Sequence, residues 1–415
     1  MISLTKENVT EYVNRHVPSL SFHDPVEVIQ IGDGELGQEV EGDGYCNYIF
    51  RLRDGQSSCI VKQTATVLRR RGALKVTPKR SEYEYEIMKM RSKIVPQYVP
   101  EVYYGDPENH VIVMEDVSNL KLIRFQLNEN HRFPNLARMF AQYLAATHFY
   151  TSEFYLPVDD YRKMIAHFMD ADMRNLMEDT VFIRIFGADD YDPACGPAFK
   201  EYCESIKYDN NLQLQRYRLR HLFMSKSETL IHGDFHTSNI FADDQHLKVI
   251  DMEYPISAPL SYDLGFLAAN FISQLCSIAF RPFESEEARK EYYAYVMTLF
   301  QTGYHYYIQY FFEYWDKDAK LEYKLSDSYR YRDSIAMDIL HEFLGFAACA
   351  NFSRVCGNMD TADFDCIEDN DLRTRAKFLS INIDALLFEK WDQYRSLEEA
   401  VEDIIALTKK HRSLQ

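Results

Sequence analysis

Several groups able to do chemistry fall within one short stretch, LIHGDFHTSNIFADDQHLKVIDMEYPIS, residues 230–257. His232, Asp234 and Asn239 lie in a polar loop, and the apolar run LKVID that follows ends in Asp251, with Glu253 two residues further on. Such a run reads as a strand. Side chains two apart in an extended chain point the same way, so Asp251 and Glu253 are predicted to face one point. Two hard carboxylates aimed at one point suit Mg²⁺, which takes oxygen ligands, and Asn239 adds a neutral oxygen. Asp234, on the preceding loop, is placed to accept a proton from a hydroxyl. A base that orients an attacking hydroxyl, with metals that bridge phosphates, is the equipment of phosphoryl transfer. The bland reading is a buried polar turn capping a helix, with a surface acid pair behind it. His, Gly and Asp are each common in loops; the ordered set is not.

The first part of the chain provides an independent check. Phosphoryl transfer from a nucleotide uses a strand Lys to hold the α- and β-phosphates and a helix Glu to hold that Lys. Lys62 lies inside CIVKQT, a run otherwise strand-like, where its bland role is an edge residue reaching solvent. Glu84 lies on the next predicted helix, with Glu82 and Glu86 as competing neighbours. A Gly-rich turn should precede the Lys strand. Gly32 to Gly37 fits G-x-G-x-x-G, a weak pattern alone. Gly42, Gly44 and Asn47 lead directly into the strand NYIFRL and the hairpin that reaches Lys62, and are preferred. VIVMEDV resembles a hinge in which the backbone of Glu115 and Val117 would meet adenine.

These groups need elements to position them. VEVIQI, NYIFRLRD and SCIVKQT read as short strands, the last two joined by the hairpin signal Asp54-Gly55. SEYEYEIMKMRSKIV reads as a helix, and YVPEVYYGD and HVIVMEDV as two more strands. Beyond residue 116 the texture is helical. Leu136, Phe140, Leu144 and Thr147 recur at helical spacing, and later Tyr- and Phe-rich stripes read as helix core. The expected fold class is α+β: a β-rich lobe over residues 1–116, carrying the nucleotide groups, and a mainly helical lobe over 117–415, carrying the catalytic and substrate groups. A chain of 415 residues exceeds what one core usually holds. The net charge of −18 disfavours nucleic acid and anionic membranes as partners. The N-terminal residues lack a secretory pattern, and no apolar segment is expected to reach the length of a membrane span. The eight cysteines are scattered without metal-ligand spacing, which points to a reducing, cytoplasmic setting.

The segments GDG-x-x-NYIF, IVKQ, VPEVYYGD, VMEDVSNLK, ETLIHGDFHTSNIF, KVIDMEY and EFLGFAACANFSR resemble the aminoglycoside-phosphotransferase and choline-kinase group of small-molecule kinases, and within it the methylthioribose kinases. The resemblance implies a bilobal protein-kinase-like fold, ATP and Mg²⁺, a homodimer, and transfer to the C1 hydroxyl of a 5-substituted ribose in methionine salvage. It makes Asp234 the base, Asp251 and Glu253 the metal ligands, Lys62 the nucleotide Lys, Arg354 a sugar ligand, and Asp263 in SYDLG a brace for the catalytic loop beside His232. Three positions depart from the family's usual pattern. Asn239 stands where Ser is usual, Ser353-Arg354 replaces a tandem Arg pair, and VLRRRGALKV replaces a Trp-bearing loop. Other acceptors remain open: an aminoglycoside, another 5-deoxypentose, or choline, whose cationic head would want an aromatic cage. A pseudokinase binding module is the alternative from another class, against which the intact set of Lys62, Asp234, Asn239, Asp251 and Glu253 argues. A protein kinase is disfavoured because no A-P-E segment follows Asp251.

Overall fold

A computed structural model describes residues 2–23, 25–31, 47–65, 77–183, 191–325, 328–357 and 361–413. The Gly42/Gly44 turn, its competitor at 32–37 and the VLRRRGALKV segment lie outside the described residues. The chain divides into two compact units. One comprises Met1–Lys121, Asp170–Met173 and Ser238–Pro255; the other comprises Leu122–Met169, Arg174–Thr237 and Ile256–Gln415.

The first unit is built on an antiparallel sheet of five strands. In chain order these are β1 (Glu27–Ile31), β2 (Asn47–Arg53), β3 (Ser58–Thr64), β4 (Val102–Asp106) and β5 (Val111–Glu115), arranged in space as β1-β2-β3-β5-β4. The predicted hairpin joins β2 to β3, and Gly55 turns it with φ +86°, a backbone conformation open to glycine at no steric cost. Alternation then sorts the side chains. Phe50 and Leu52 pair with Val61 and Cys59, and Val61 pairs with Val113. All are fully buried in one cluster with Val9 and Val13 of the first helix, Val9–His16. Lys62, one residue past Val61, takes the opposite face. There the helix Arg80–Ile94 lies near β3, β4 and β5. The same unit holds a short hairpin, Ile240–Ala242 paired with Leu247–Val249.

The second unit is helical. Its central element is the helix Tyr262–Phe280, which packs against Glu286–Asp318, Ser328–Cys356 and Asn370–Lys390. Close approach is built into it: a Cβ at Gly265 would sit 2.8 Å from the Phe343 carbonyl oxygen and from the Phe346 Cβ. The aromatic stripe is helix core, as its spacing predicts: Tyr292, Phe300, Tyr304, Tyr307 and Phe311 are buried along Glu286–Asp318. One expectation is corrected. Tyr262–Phe280 (19 residues) and Tyr329–Cys356 (28 residues) are long and apolar enough to cross a membrane by length and composition. The first is wholly buried inside the unit and the second 78% buried, so their apolar character answers to helices packed around them on most sides.

Candidate active site

In the first unit, side chains distant in sequence converge on two carboxylates. Lys62 Nζ lies 2.8 Å from Glu84 Oε1 and 3.9 Å from Glu253, and pairs closely with Asp251. Arg80, four residues before Glu84 on the same face of its helix, donates from Nε to Glu253 Oε2 at 2.9 Å and from Nη2 to the Asn47 oxygen at 2.7 Å. Asn47 in turn donates to Glu253 Oε2 at 3.1 Å. Burial lowers the proton affinity of the Lys62 ammonium, but Asp251, Glu84 and Glu253 outweigh it and hold the ammonium charged. Burial pushes the Glu84 carboxyl up to about 7; Lys62 opposes this, and Asp251 and Glu253 add to it.

Of the three acids on this helix, Glu84 is the buried one and meets Lys62, while Glu82 is partly exposed and Glu86 is exposed. The manner in which Asp251 and Glu253 converge differs from the expectation. The strand stops at Val249, and Asp251 adopts φ +62°. Strand alternation therefore does not bring them together; a left-handed backbone does, costing about 1–3 kcal/mol. Oxygens of Glu84, Asp251 and Glu253 then lie within 4.8 Å of one another. Asn239 sits beside this bend, its carbonyl accepting from the Ile250 N–H at 3.0 Å. At the end of β5, the Glu115 N–H donates to the Glu101 carbonyl at 2.8 Å, and the Val117 carbonyl accepts from the Leu120 N–H at 2.9 Å. Lys248 anchors the Glu115 side chain at 2.8 Å.

In the second unit, one loop carries His232, Asp234 and His236. Asp263, fully buried at the start of its helix, accepts from the N–H of His232 at 2.6 Å and of Gly233 at 2.9 Å. His148 Nε2 lies 3.2 Å from Asp263, and its Nδ1 lies 3.0 Å from the Tyr307 hydroxyl. Burial would raise the Asp263 carboxyl, but the hydrogen bond and charge of His148 outweigh it and hold the group below the ordinary carboxylate range. Two helical turns on, Asn270 Oδ1 accepts from the Thr237 N–H at 3.1 Å and from the Thr237 hydroxyl at 2.7 Å. The loop is thus fastened at both ends to one face of one helix.

Between these fastenings, the Asp234 N–H donates to His232 Nδ1 at 3.3 Å, which leaves the His232 ring proton to Nε2. His236 Nε2 lies 3.3 Å from Asp234 Oδ2. Burial opposes ionisation of Asp234, but His236 and then Arg354 prevail, so the carboxyl stays well below its ordinary range. Arg354 stands in the last turn of Ser328–Cys356. Among the residues that sequence reasoning did not single out, Arg80, His148, His236 and Asn270 now join these groups. Arg80 had a signal, a cation four residues from Glu84. His236 had its place in the HGDFH run, whereas His148 and Asn270 lie within apolar helices that do not mark them.

The chain matches the family described as "Phosphotransferase enzyme family" over residues 42–292. It is 30% identical to the methylthioribose kinase of Bacillus cereus strain B4264 over 387 residues, spanning 92% of this chain and 91% of that protein. It is 32% identical to the methylthioribose kinase of Bacillus cereus strain ATCC 10987 over 340 residues, 81% of this chain and 82% of that protein. Choline kinase from Cryptosporidium parvum Iowa II aligns with a TM-score of 0.46 at 12% identity, over 98% of this chain and 99% of that one. The chain belongs to the phosphotransferase enzyme family, with its protein-kinase-like fold. It is a small-molecule kinase, and its curated relatives are methylthioribose kinases.

Proposed function

We propose that the chain is an ATP- and Mg²⁺-dependent cytoplasmic kinase, working as a homodimer, that phosphorylates a sugar hydroxyl, the C1 hydroxyl of 5-methylthioribose or a related 5-substituted ribose. The observation that carries the chemistry is the convergence of the buried Lys62, Glu84 and Glu253 with the half-buried Asp251. The sugar rests on similarity to methylthioribose kinases over 92% of the chain. In this reading Lys62, steadied by Glu84, holds the α- and β-phosphates; Gly42, Gly44 and Asn47 line the phosphate turn; and the backbone of Glu115 and Val117 meets adenine. Asp251 and Glu253, with Asn239, would hold Mg²⁺. Their donors are hard oxygens, and Glu253 is already oriented by Arg80 and Asn47. Bound there, Mg²⁺ would supply positive charge to offset that of the phosphates.

Asp234 accepts the proton of the sugar hydroxyl as its oxygen bonds to the γ-phosphorus. The bond from that phosphorus to the β–γ bridging oxygen breaks, and ADP leaves. Arg354 offers a two-pronged donor to the sugar, with Ser353 beside it in place of a second Arg. Asp263 and His232 hold the loop. The test measures ADP release with 5-methylthioribose, 5-deoxyribose, kanamycin and choline. Release is expected with methylthioribose, and preference for kanamycin or choline would overturn the sugar assignment. Asp234→Asn is expected to lower kcat about 10²- to 10⁴-fold with ATP affinity retained. Near-parental turnover would remove Asp234 as the base.

A further inference from the structure

The backbone places two side chains of the HGDFH run together. The His236 N–H donates to the Asp234 carbonyl at 3.0 Å, closing a tight turn. This turn puts the imidazole of His236 alongside the carboxylate of Asp234, Nε2 to Oδ2 at 3.3 Å. Both side chains are largely covered, at 14% and 29% exposure. The next residue, Thr237, is fixed at its N–H and hydroxyl by Asn270. The ring of Phe266, on the same helix as Asn270, lies 6.4 Å from the His236 ring, centroid to centroid. His236 is therefore held by its own turn, by the fastened residue after it and by an aromatic neighbour.

We propose that His236 is a positioning residue for the base: its Nε2 holds Oδ2 of Asp234 and fixes the rotamer in which the carboxylate meets the acceptor hydroxyl. The proposal rests on Asp234 being the base. A carboxylate has a broad terminal torsion, so a fixed donor at one oxygen narrows the directions it takes, and small misplacements cost rate steeply. The other ionisable groups coupled to Asp234 are His232 on its own loop, Arg354 from the end of Ser328–Cys356, and Tyr262 from the start of its helix. His236 is the group that meets a carboxylate oxygen directly, Nε2 to Oδ2 at 3.3 Å, and it is first among the groups that favour the ionised form of Asp234.

The experiment reads the carboxylate directly as well as through turnover. Aspartate is labelled with ¹³C at the carboxyl, the Asp234 resonance is assigned by its loss in Asp234→Asn, and the parent, His236→Gln and His236→Leu are titrated. The Asp234 midpoint is expected to rise in both variants, since His236 favours the ionised carboxylate. With an accepted sugar, the acidic limb of kcat/KM should move the same way. For His236→Leu, kcat should fall about 10- to 100-fold with KM for ATP unchanged, and His236→Gln, which keeps an N–H donor, should restore most of that loss. A histidine that only stabilises the fold would lower the melting temperature and leave the Asp234 midpoint in place. An unmoved midpoint in folded His236→Gln overturns the proposal. A moved midpoint together with parental turnover in Asp234→Asn locates the failure in the assignment of the base, and leaves the coupling of His236 to Asp234 standing.

Discussion

The two units fix their acidic groups in opposite ways. In the first, side chains hold side chains: Lys62 and Arg80 lie among Glu84, Asp251 and Glu253, and Asn47 bridges Arg80 to Glu253. In the second, one carboxylate holds backbone: Asp263 takes two consecutive N–H groups of the loop that carries Asp234. A network of side chains can rearrange when a new cation or anion enters, because Lys62 and Glu253 at its centre each have more than one partner. A backbone clamp has no alternative arrangement. The contrast suits the roles proposed for them: nucleotide and metal come and go at the first, while the base at the second must stay where the acceptor finds it.

The contrast breaks most visibly at Arg80. It is fully buried, and Glu253, 2% exposed, depends on it. Removing one partner of a buried ion pair costs about 3–5 kcal/mol, since the other charge stays behind in low dielectric. Arg80→Met should therefore lower unfolding free energy by that amount in denaturant titration, and raise the Mg²⁺ concentration needed for half-maximal turnover. A loss below about 1 kcal/mol would mean that Lys62 and Asn47 hold Glu253 unaided, and that the cluster is looser than the contacts imply.

A smaller effect is expected at the clamp. In Asp263→Asn one acceptor oxygen becomes an NH₂ donor facing a backbone N–H or His148. A buried donor left without an acceptor costs about 1–3 kcal/mol. The same change frees one end of the loop, so kcat should fall while KM for ATP holds. If stability drops and kcat does not, Asp263 supports the fold and the fastening of Asp234 lies with Asn270.

How legible these two regions were in the sequence follows from the same contrast. The sheet was readable because period-two burial and one Asp-Gly turn mark β2 and β3 locally, and Lys62 stood out as a charge inside an apolar strand. The HxDxxxxN and DxE spacings marked the loop and the acid pair. The means of convergence was not readable: nothing near Asp251 signals φ +62°, because Asp tolerates a left-handed backbone without requiring it. Arg80 carried one cue, its spacing of four residues from Glu84, but it ends a basic run in which no other feature sets it apart. Within unit 2, His148 and Asp263 lie 115 residues apart in sequence, and Asn270 sits in a helix whose apolar pattern speaks only of packing. Long-range polar contacts of this kind leave no local period.

The smallest effect tests whether a side-chain-held acid behaves alike in both units. Glu342, 4% exposed in the helix Ser328–Cys356, pairs with Lys226 and accepts from the Ser261 hydroxyl at 2.8 Å. Burial pushes its carboxyl up to about 7, Lys226 opposing and Glu228 adding; Glu84 in the first unit is raised to about 7 as well. The sign follows from proton counting. Between the ordinary glutamate value of 4.5 and about 7, the unfolded chain has released this proton and the folded chain keeps it, so stability falls as pH rises. The slope from one such group is at most about 1.4 kcal/mol per pH unit. Asp263 is shifted downward, so its contribution is present above the ordinary aspartate value and is lost as pH falls below it, outside this window. Glu342→Gln carries no proton to lose. Its unfolding free energy between pH 5 and pH 7 should therefore decline less than the parent's, by about 1 kcal/mol per pH unit, in urea titrations at fixed ionic strength. Parallel slopes for parent and variant would show that Lys226 keeps Glu342 ionised throughout, making this acid a charged partner of the kind Arg80 finds in Glu253.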